Sequence, residues 1–350
     1  MNNTTLTLPR PDDWHVHLRD GDVLAAVLPD TARHYARAIV MPNLKPPVTS
    51  AAAADAYRTR IRALLSDGDD FEPLMTCYLT DVTDAADLAA GTRDGIFTAA
   101  KLYPAGATTN SAAGVTDITR LDGVFETMSA LGLPLLIHGE VVDRDVDVFD
   151  REAVFIERVL TPLRARHPAL KIVFEHITTA EAAAYVSAAD ARLLAATVTP
   201  HHLMLNRGAM FEGGIRPHMY CLPIIKRETH RQALVKAVCS GDAHYFLGTD
   251  SAPHVMHTKE SDCGCAGIYN APVALAAYAE VFAAHDALPA LEAFAAHNGP
   301  AFYGLPVNTR RITLTRDAHQ PPPSRCVSEL GDILVFDAPG TAQWRVSPAP

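Results

Sequence analysis

Cysteine is scarce, six residues in 350, which is too few for a disulfide-held scaffold. Cys77 and Cys221 lie in strand-like or apolar surroundings that suit reduced thiols. Only Cys263-Gly264-Cys265 has a suggestive spacing. Without further Cys or His at ligand distance it reads as a Gly-rich loop and not as a soft-metal clip. No stretch stays apolar for the roughly 20 residues that a spanning helix needs. Met1 to Pro11 lacks a basic segment followed by an apolar one. A soluble, cytoplasmic protein without membrane association is expected. Runs of Lys and Arg are also missing and the formal net charge is -10, which argues against nucleic acid and anionic membrane surfaces as partners. No Pro/Gly/Ser-rich linker divides the chain before about residue 315.

What is abundant is core-forming material: 48% of residues are hydrophobic and 20% charged. Short apolar or β-branched runs recur at Asp13–Leu18, Ala38–Asn43, Leu74–Thr80, Thr98–Tyr103, Pro134–His138, Lys171–His176, Leu194–Thr199 and Tyr245–Asp250. Between them lie Ala-rich or amphipathic segments such as Ser50–Leu65, Ile118–Leu131, Arg151–Arg166, Thr179–Ala188 and Arg227–Cys239. Eight strand-then-helix alternations predict an α/β fold, a (β/α)8 TIM barrel, in which the C-terminal strand ends surround one mouth. The expected layout is a single domain over 1–350, with the barrel in 1–315 and a packed C-terminal tail in 316–350. The segment Ala318 to Ser324 reads as a loop, and the tail carries one short apolar run, Ile333–Phe336.

The His15-Val16-His17 pair is weak by itself. Sixteen His in 350 residues supply roughly 0.7 such pairs by chance. Position strengthens it, because residues i and i+2 of a strand point to the same side, so both imidazoles would face one point at the end of strand one. Strand four ends at Lys101, strand five at His138-Gly139-Glu140, strand six at Glu175-His176 and strand eight at Asp250. Four His, one Asp and one Lys therefore converge on the mouth. A His and carboxylate set suits Zn²⁺ with positions left for water and substrate. Lys101 fits only if burial lowers its pKa, since a neutral amine can take up CO2 and become a carbamate with two oxygens. Such a group could bridge two metals about 3.5–4 Å apart.

The order His-x-His at strand one, Lys at four, His at five and six and Asp at eight resembles the amidohydrolase superfamily. Pro11–Asp20, Val40–Leu44, Thr98–Pro104, Ile137–Glu140, Phe174–Thr178 and Leu247–His254 are similar to segments of the shorter, bacterial single-domain dihydroorotases. That resemblance spans residues 11 to about 306 and is weakest in the tail. It implies two Zn²⁺ per chain bridged by an N6-carboxylated Lys101. His15, His17, Lys101 and Asp250 would hold the more buried ion and Lys101, His138 and His176 the other. It implies attack on a ring amide by a bridging hydroxide, with Asp250 as general acid and base, interconverting L-dihydroorotate and N-carbamoyl-L-aspartate in pyrimidine synthesis. It assigns Arg19, Asn43 and His254 to the substrate carboxylate, backbone groups of Leu222 and Ala266 to the ring, and Thr108 and Thr109 to a lid loop spanning Pro104 to Gly114. A homodimer is implied as well.

One point departs from the pattern. Thr199-Pro200-His201-His202 carries His201 where Gln is expected. His202 matches the family, and His201 is expected at the surface or behind the ligands, with neither in the metal set. Two other readings stay open: a hydantoinase-like or allantoinase-like enzyme that shares the metals but not the carboxylate clamp, and a metal-free relative that only binds a partner.

Overall fold

The computed structural model describes residues 4–262 and 264–349, so Cys263 of the Cys-Gly-Cys spacing lies outside the described residues. Eight parallel strands pair in sequence order: β1 (Asp13–Val16), β2 (Arg37–Val40), β3 (Glu72–Tyr78), β4 (Phe97–Leu102), β5 (Leu135–Ile137), β6 (Ile172–Phe174), β7 (Leu194–Val198) and β8 (Tyr245–Leu247). The ring closes between first and last, through a bridge from Val16 to Ser251. The Asp250 amide donates to the His15 carbonyl at 2.9 Å, and the His17 amide to Ser251 O at 3.1 Å. Each of the eight predicted runs is a barrel strand, and the fold is the TIM barrel that the alternation implied.

Period-two alternation separates two cores. Side chains facing the helices join the large outer core, among them Val40, Leu102, Leu135, Ile137, Phe174 and Val198. Those facing the axis form a closed plug of Trp14, Ile39, Met41, Ala99, Leu136, Val173, Ala195, Phe246 and Phe302. Two residues after four of these plug positions come Lys101, His138, Glu175 and Thr197 on the same inward side, and Asp250 follows four after Phe246. The polar site therefore sits on an apolar floor, and the same strands build both layers.

The helices follow local signals. Ser50 caps Ala51–Ala63 by accepting from the Ala53 amide, and Gly132, in left-handed backbone at φ 66°, ends Asp122–Leu131. The predicted helix over Arg151–Arg166 forms, but with a π-turn at Ile156–Leu160, where the Thr161 amide reaches back to Ile156 O. Pro162 has no N–H to continue the ordinary ladder. A small three-stranded sheet sits beside the barrel. In it Arg311–Arg316 pairs antiparallel with both Thr5–Pro9 and Trp344–Pro348, so the appended layer is made by both ends of the chain. The Ile333–Phe336 run is anchored by the Phe336 amide on Tyr269 O at 2.7 Å and by Arg325 paired with Asp30 at 2.6 Å. Ser324 belongs to a two-stranded ribbon (Ser324–Cys326 with Asp332–Leu334) and not to the predicted loop.

Candidate metal centre and active site

His15 ends up beside His17, although not for the reason the sequence suggested. The β1 strand stops at Val16 and its pairing with β2 shifts register between Asp13 and Val16. His17 is thus already in the loop, and Arg19 is in left-handed backbone at φ 60°. A bulged strand end turns the chain and aims both rings inward. His15 Nε2 lies 3.2 Å from His17 Nε2, and Asp250 Oδ1 lies 3.3 Å and 3.1 Å from the two. His176 and Asp250 follow their strands in left-handed backbone, at φ 41° and 43°, a conformation that costs non-glycine residues energy and concentrates at functional sites.

Neighbouring groups orient both rings. Asn43 Nδ2 donates to Thr109 O at 3.0 Å, so its Oδ1 accepts from His17 Nδ1 at 2.9 Å. His15 Nδ1 lies 2.9 Å from Glu175 Oε1. His17 then carries its proton on Nδ1, and its Nε2 lone pair faces His15 Nε2 and a carboxylate oxygen. Burial pushes His17 down to about 3 and also lowers His15, so both are neutral near pH 7. Burial would raise Asp250, but its charge and hydrogen-bond interactions with His15 and His17 outweigh this and hold it well below the usual carboxylate range. Two ring nitrogens and a carboxylate oxygen within 3.1–3.3 Å of one another are spaced as ligands around a divalent cation. The donor set fits a metal.

A second group lies alongside. His138 Nε2 donates to Glu140 Oε2 at 2.8 Å, which leaves Nδ1 as the free lone pair, and buried His176 Nδ1 has no partner among the described residues. The two rings are 4.9 Å apart, and His15 and His176 are 5.0 Å apart. Lys101 is fully buried and contacts Glu175, and burial drives its pKa well below the ordinary lysine value. Burial lowers His15, His138 and His176 as well. A neutral amine in that position is the chemical requirement for carbamate formation.

Apart from His254, the remaining predicted residues line the same chamber, which encloses about 20 Å³, room for little more than one water. Arg19 donates from Nε to Pro253 O at 3.2 Å, and its Nη2 lies 3.1 Å from His254 Nε2. Burial, and then the Arg19 charge, press His254 down to about 2. Thr108, Thr109, Leu222 and Ala266 complete the lining. Thr109 Oγ1 donates to Ala266 O at 3.3 Å, and Asn110 Nδ2 to Asn43 O at 2.9 Å. The loop is therefore folded down over the chamber.

A profile of the Amidohydrolase family matches residues 13–318. The chain belongs to the amidohydrolase family. The dihydroorotase of Synechococcus sp. (strain CC9605) is 60% identical over 346 residues, covering 99% of this chain and 97% of its own. That of Cupriavidus pinatubonensis is 63% identical over 344 residues, covering 97% and 98%. A dihydroorotase structure from Saccharomyces cerevisiae, in complex with 5-fluoroorotic acid, superposes with a TM-score of 0.91 at 30% identity, covering 99% of each chain. This amidohydrolase is an enzyme of the dihydroorotase group.

Sequence reasoning gave no role to several residues that orient this amidohydrolase's site. Glu175 and Glu140 stand against His15 and His138. Asp13 accepts from the Thr249 amide at 2.9 Å and from the His15 amide at 3.1 Å, joining the first and last strand ends. Glu152, wholly buried on the helix after β5, accepts from the Thr178 and Thr179 amides at 2.9 Å and 2.8 Å and fixes the turn behind His176. Buried carboxylates just beyond the ligands were the available signal, but partner assignment needs tertiary contacts. Of the two places expected for His201, at the surface or behind the ligands, the surface is excluded: it is fully buried. Asn270 Nδ2, which also donates to Thr249 O at 2.8 Å, contacts His201 Nδ1 at 3.1 Å. The proton is then on Nε2. His201, His202 and Cys221 lie close enough to hold an ion, but His201 presents an N–H, and His202 is engaged on both nitrogens, by Thr199 Oγ1 and Pro223 O.

Proposed function

We propose that this amidohydrolase interconverts L-dihydroorotate and N-carbamoyl-L-aspartate, the ring step of pyrimidine synthesis, with two zinc ions. The observation that carries the reading is the pairing of a metal-ligand geometry at His15, His17 and Asp250 with the Arg19 guanidinium in the same chamber, His254 standing against it. Relatives called dihydroorotases at about 60% identity support the same reading.

His15, His17 and Asp250 would hold one ion, His138 and His176 the other, and carboxylated Lys101 would bridge them. When bound, the ions supply Lewis-acid polarisation of the ring amide and a water acidic enough to attack near neutral pH. The chain supplies the rest. Arg19 offers Nη groups to the substrate carboxylate, with Asn43 and neutral His254 beside it, which fixes which ring carbonyl faces the strand ends. Leu222 and Ala266 offer backbone groups to the ring. Asp250, ionised at working pH, takes the proton of the attacking water as oxygen adds to the amide carbon, and returns it to the ring nitrogen as the C–N bond breaks. Ring closure runs the same transfers backwards. Thr108 and Thr109 close the chamber over the bound ring.

Steady-state turnover of dihydroorotate against hydantoin tests the reading. Preference for dihydroorotate is expected. Preference for hydantoin would remove the role given to Arg19, Asn43 and His254 and favour the hydantoinase-like alternative.

A further inference from the structure

We propose that Lys259 is a positioning residue for substrate binding, a buried ammonium strap that sets the backbone of residues 265–267 so that the Ala266 carbonyl faces the carboxylate clamp. Lys259 lies on a short helix, Met256–Lys259, and is 4% exposed. Its Nζ donates to Gly267 O at 2.6 Å, Cys265 O at 2.8 Å and Tyr220 O at 3.1 Å. Among the described residues no carboxylate pairs with it, so three carbonyl dipoles alone offset the charge. All three ammonium hydrogens are used.

The alternation of these carbonyls gives the strap its purpose. Cys265 O and Gly267 O accept from Lys259, while the Ala266 O between them accepts from His254 and Thr109. With Cys265 O and Gly267 O both drawn to Lys259, Ala266 O is turned the other way, into the chamber. There it accepts from His254 Nε2 at 3.0 Å and from Thr109 Oγ1 at 3.3 Å. One carbonyl thus registers a clamp residue and the lid, and His254 in turn lies 3.1 Å from Arg19 Nη2. The second wall is fixed from the same point. Tyr220 O accepts from Lys259 and from the Gly267 amide at 3.0 Å, two residues before Leu222, which lines the chamber. Gly267 has φ +151°, and a Cβ there would lie 2.7 Å from Ala252 O and 2.9 Å from His254 Cδ2, so the segment presses directly on the wall behind His254. Burial brings the Lys259 pKa down to about 8, the mark of a cation held where solvation is poor.

The inference rests on the substrate reading above, and its test separates the two. Lys259→Met removes the donors and keeps the volume. With the metal-loaded enzyme, KM for dihydroorotate is expected to rise about tenfold with kcat within about twofold, since the strap acts on ground-state binding and not on the reacting atoms. Amide exchange in the 265–267 segment, followed by mass spectrometry, should quicken in the same variant. Lys259→Arg, which keeps a charged donor, should recover part of the KM. An unchanged KM with unchanged exchange would overturn the proposal, as would equal losses in kcat and stability with no change in KM. If Lys259→Met does not fold, Lys259→Arg with a modestly raised KM, quickened exchange in the 265–267 segment and unchanged kcat supports the strap, and Lys259→Arg with wild-type KM and exchange, or with kcat lost at constant KM, overturns it. A wild type inactive on dihydroorotate defeats the functional reading alone, and exchange in the 265–267 segment then decides on the strap.

Discussion

Gly139→Ala is the sharpest small perturbation of this site. Gly139 stands between His138 and Glu140, and it is not among the residues with left-handed backbone, so an alanine can adopt its dihedrals. Space is the obstacle. A Cβ there would lie 1.9 Å from Phe174 Cε2 and 2.7 Å from Cζ, where carbon atoms normally stay about 3.5 Å apart or more. The ring would have to retreat by about 1.6 Å to regain ordinary contact. It has nowhere to go, being fully buried with its centroid 6.3 Å from that of Phe155. Overpacking of this kind costs about 2–3 kcal/mol, which lowers the unfolding temperature by about 3–4 °C in a chain of this length. The strain falls on function as well, because Phe174 leads directly into Glu175 and His176 while Gly139 carries His138. Metal affinity is expected to fall about 10–100-fold, as when residues that orient ligands are disturbed. Calorimetric unfolding and a competitive chelator titration read the two effects. Adding Phe174→Leu makes room, so the double variant should be more stable than the sum of the single losses by about 1 kcal/mol. A Gly139→Ala protein that melts with the wild type and holds metal as tightly, or strict additivity with Phe174→Leu, would refute the packing argument.

Two further outcomes follow from the site and its surroundings. Lys101→Ala should lower activity about a thousandfold or more and reduce bound metal, with partial recovery in a short carboxylic acid at high concentration; full activity in the variant would contradict the bridge. His202 is buried, and burial holds it at about 4 against an ordinary value of 6.5. Its folded pKa is lowered, so the unfolded chain binds the proton first, and the stability present above pH 6.5 is lost as pH falls toward 4, by at most about 3 kcal/mol. Urea midpoints at pH 7.5 and 4.5 should therefore differ less in His202→Gln than in the wild type, and equal differences would count against that burial.

The sequence by itself determined the barrel and most of the candidate donors. Strand periodicity is local: apolar runs of fixed length, each followed by a helical pattern, leave few arrangements, and residues at strand ends inherit a common mouth from the topology. That reasoning brought His15, His17, Lys101, His138, His176 and Asp250 together across 236 positions of chain, as it brought Arg19, Asn43, Thr108 and Thr109 to the same chamber, with His254 against Arg19. What only the tertiary structure decided is how each donor is oriented. The inward turn of His17 comes from a register shift that the sequence does not mark, and those of His176 and Asp250 from left-handed backbone. The tautomers of His17 and His138 are set by Asn43 and Glu140, and His201 is buried against Asn270 and Phe336 of the tail. These depend on which side chains meet across large sequence separations and on how little water remains between them, and neither is written in the local pattern. Lys259 is the extreme case: in sequence an ordinary lysine on a short helix, in the fold a buried cation held by three carbonyls that belong to two other segments.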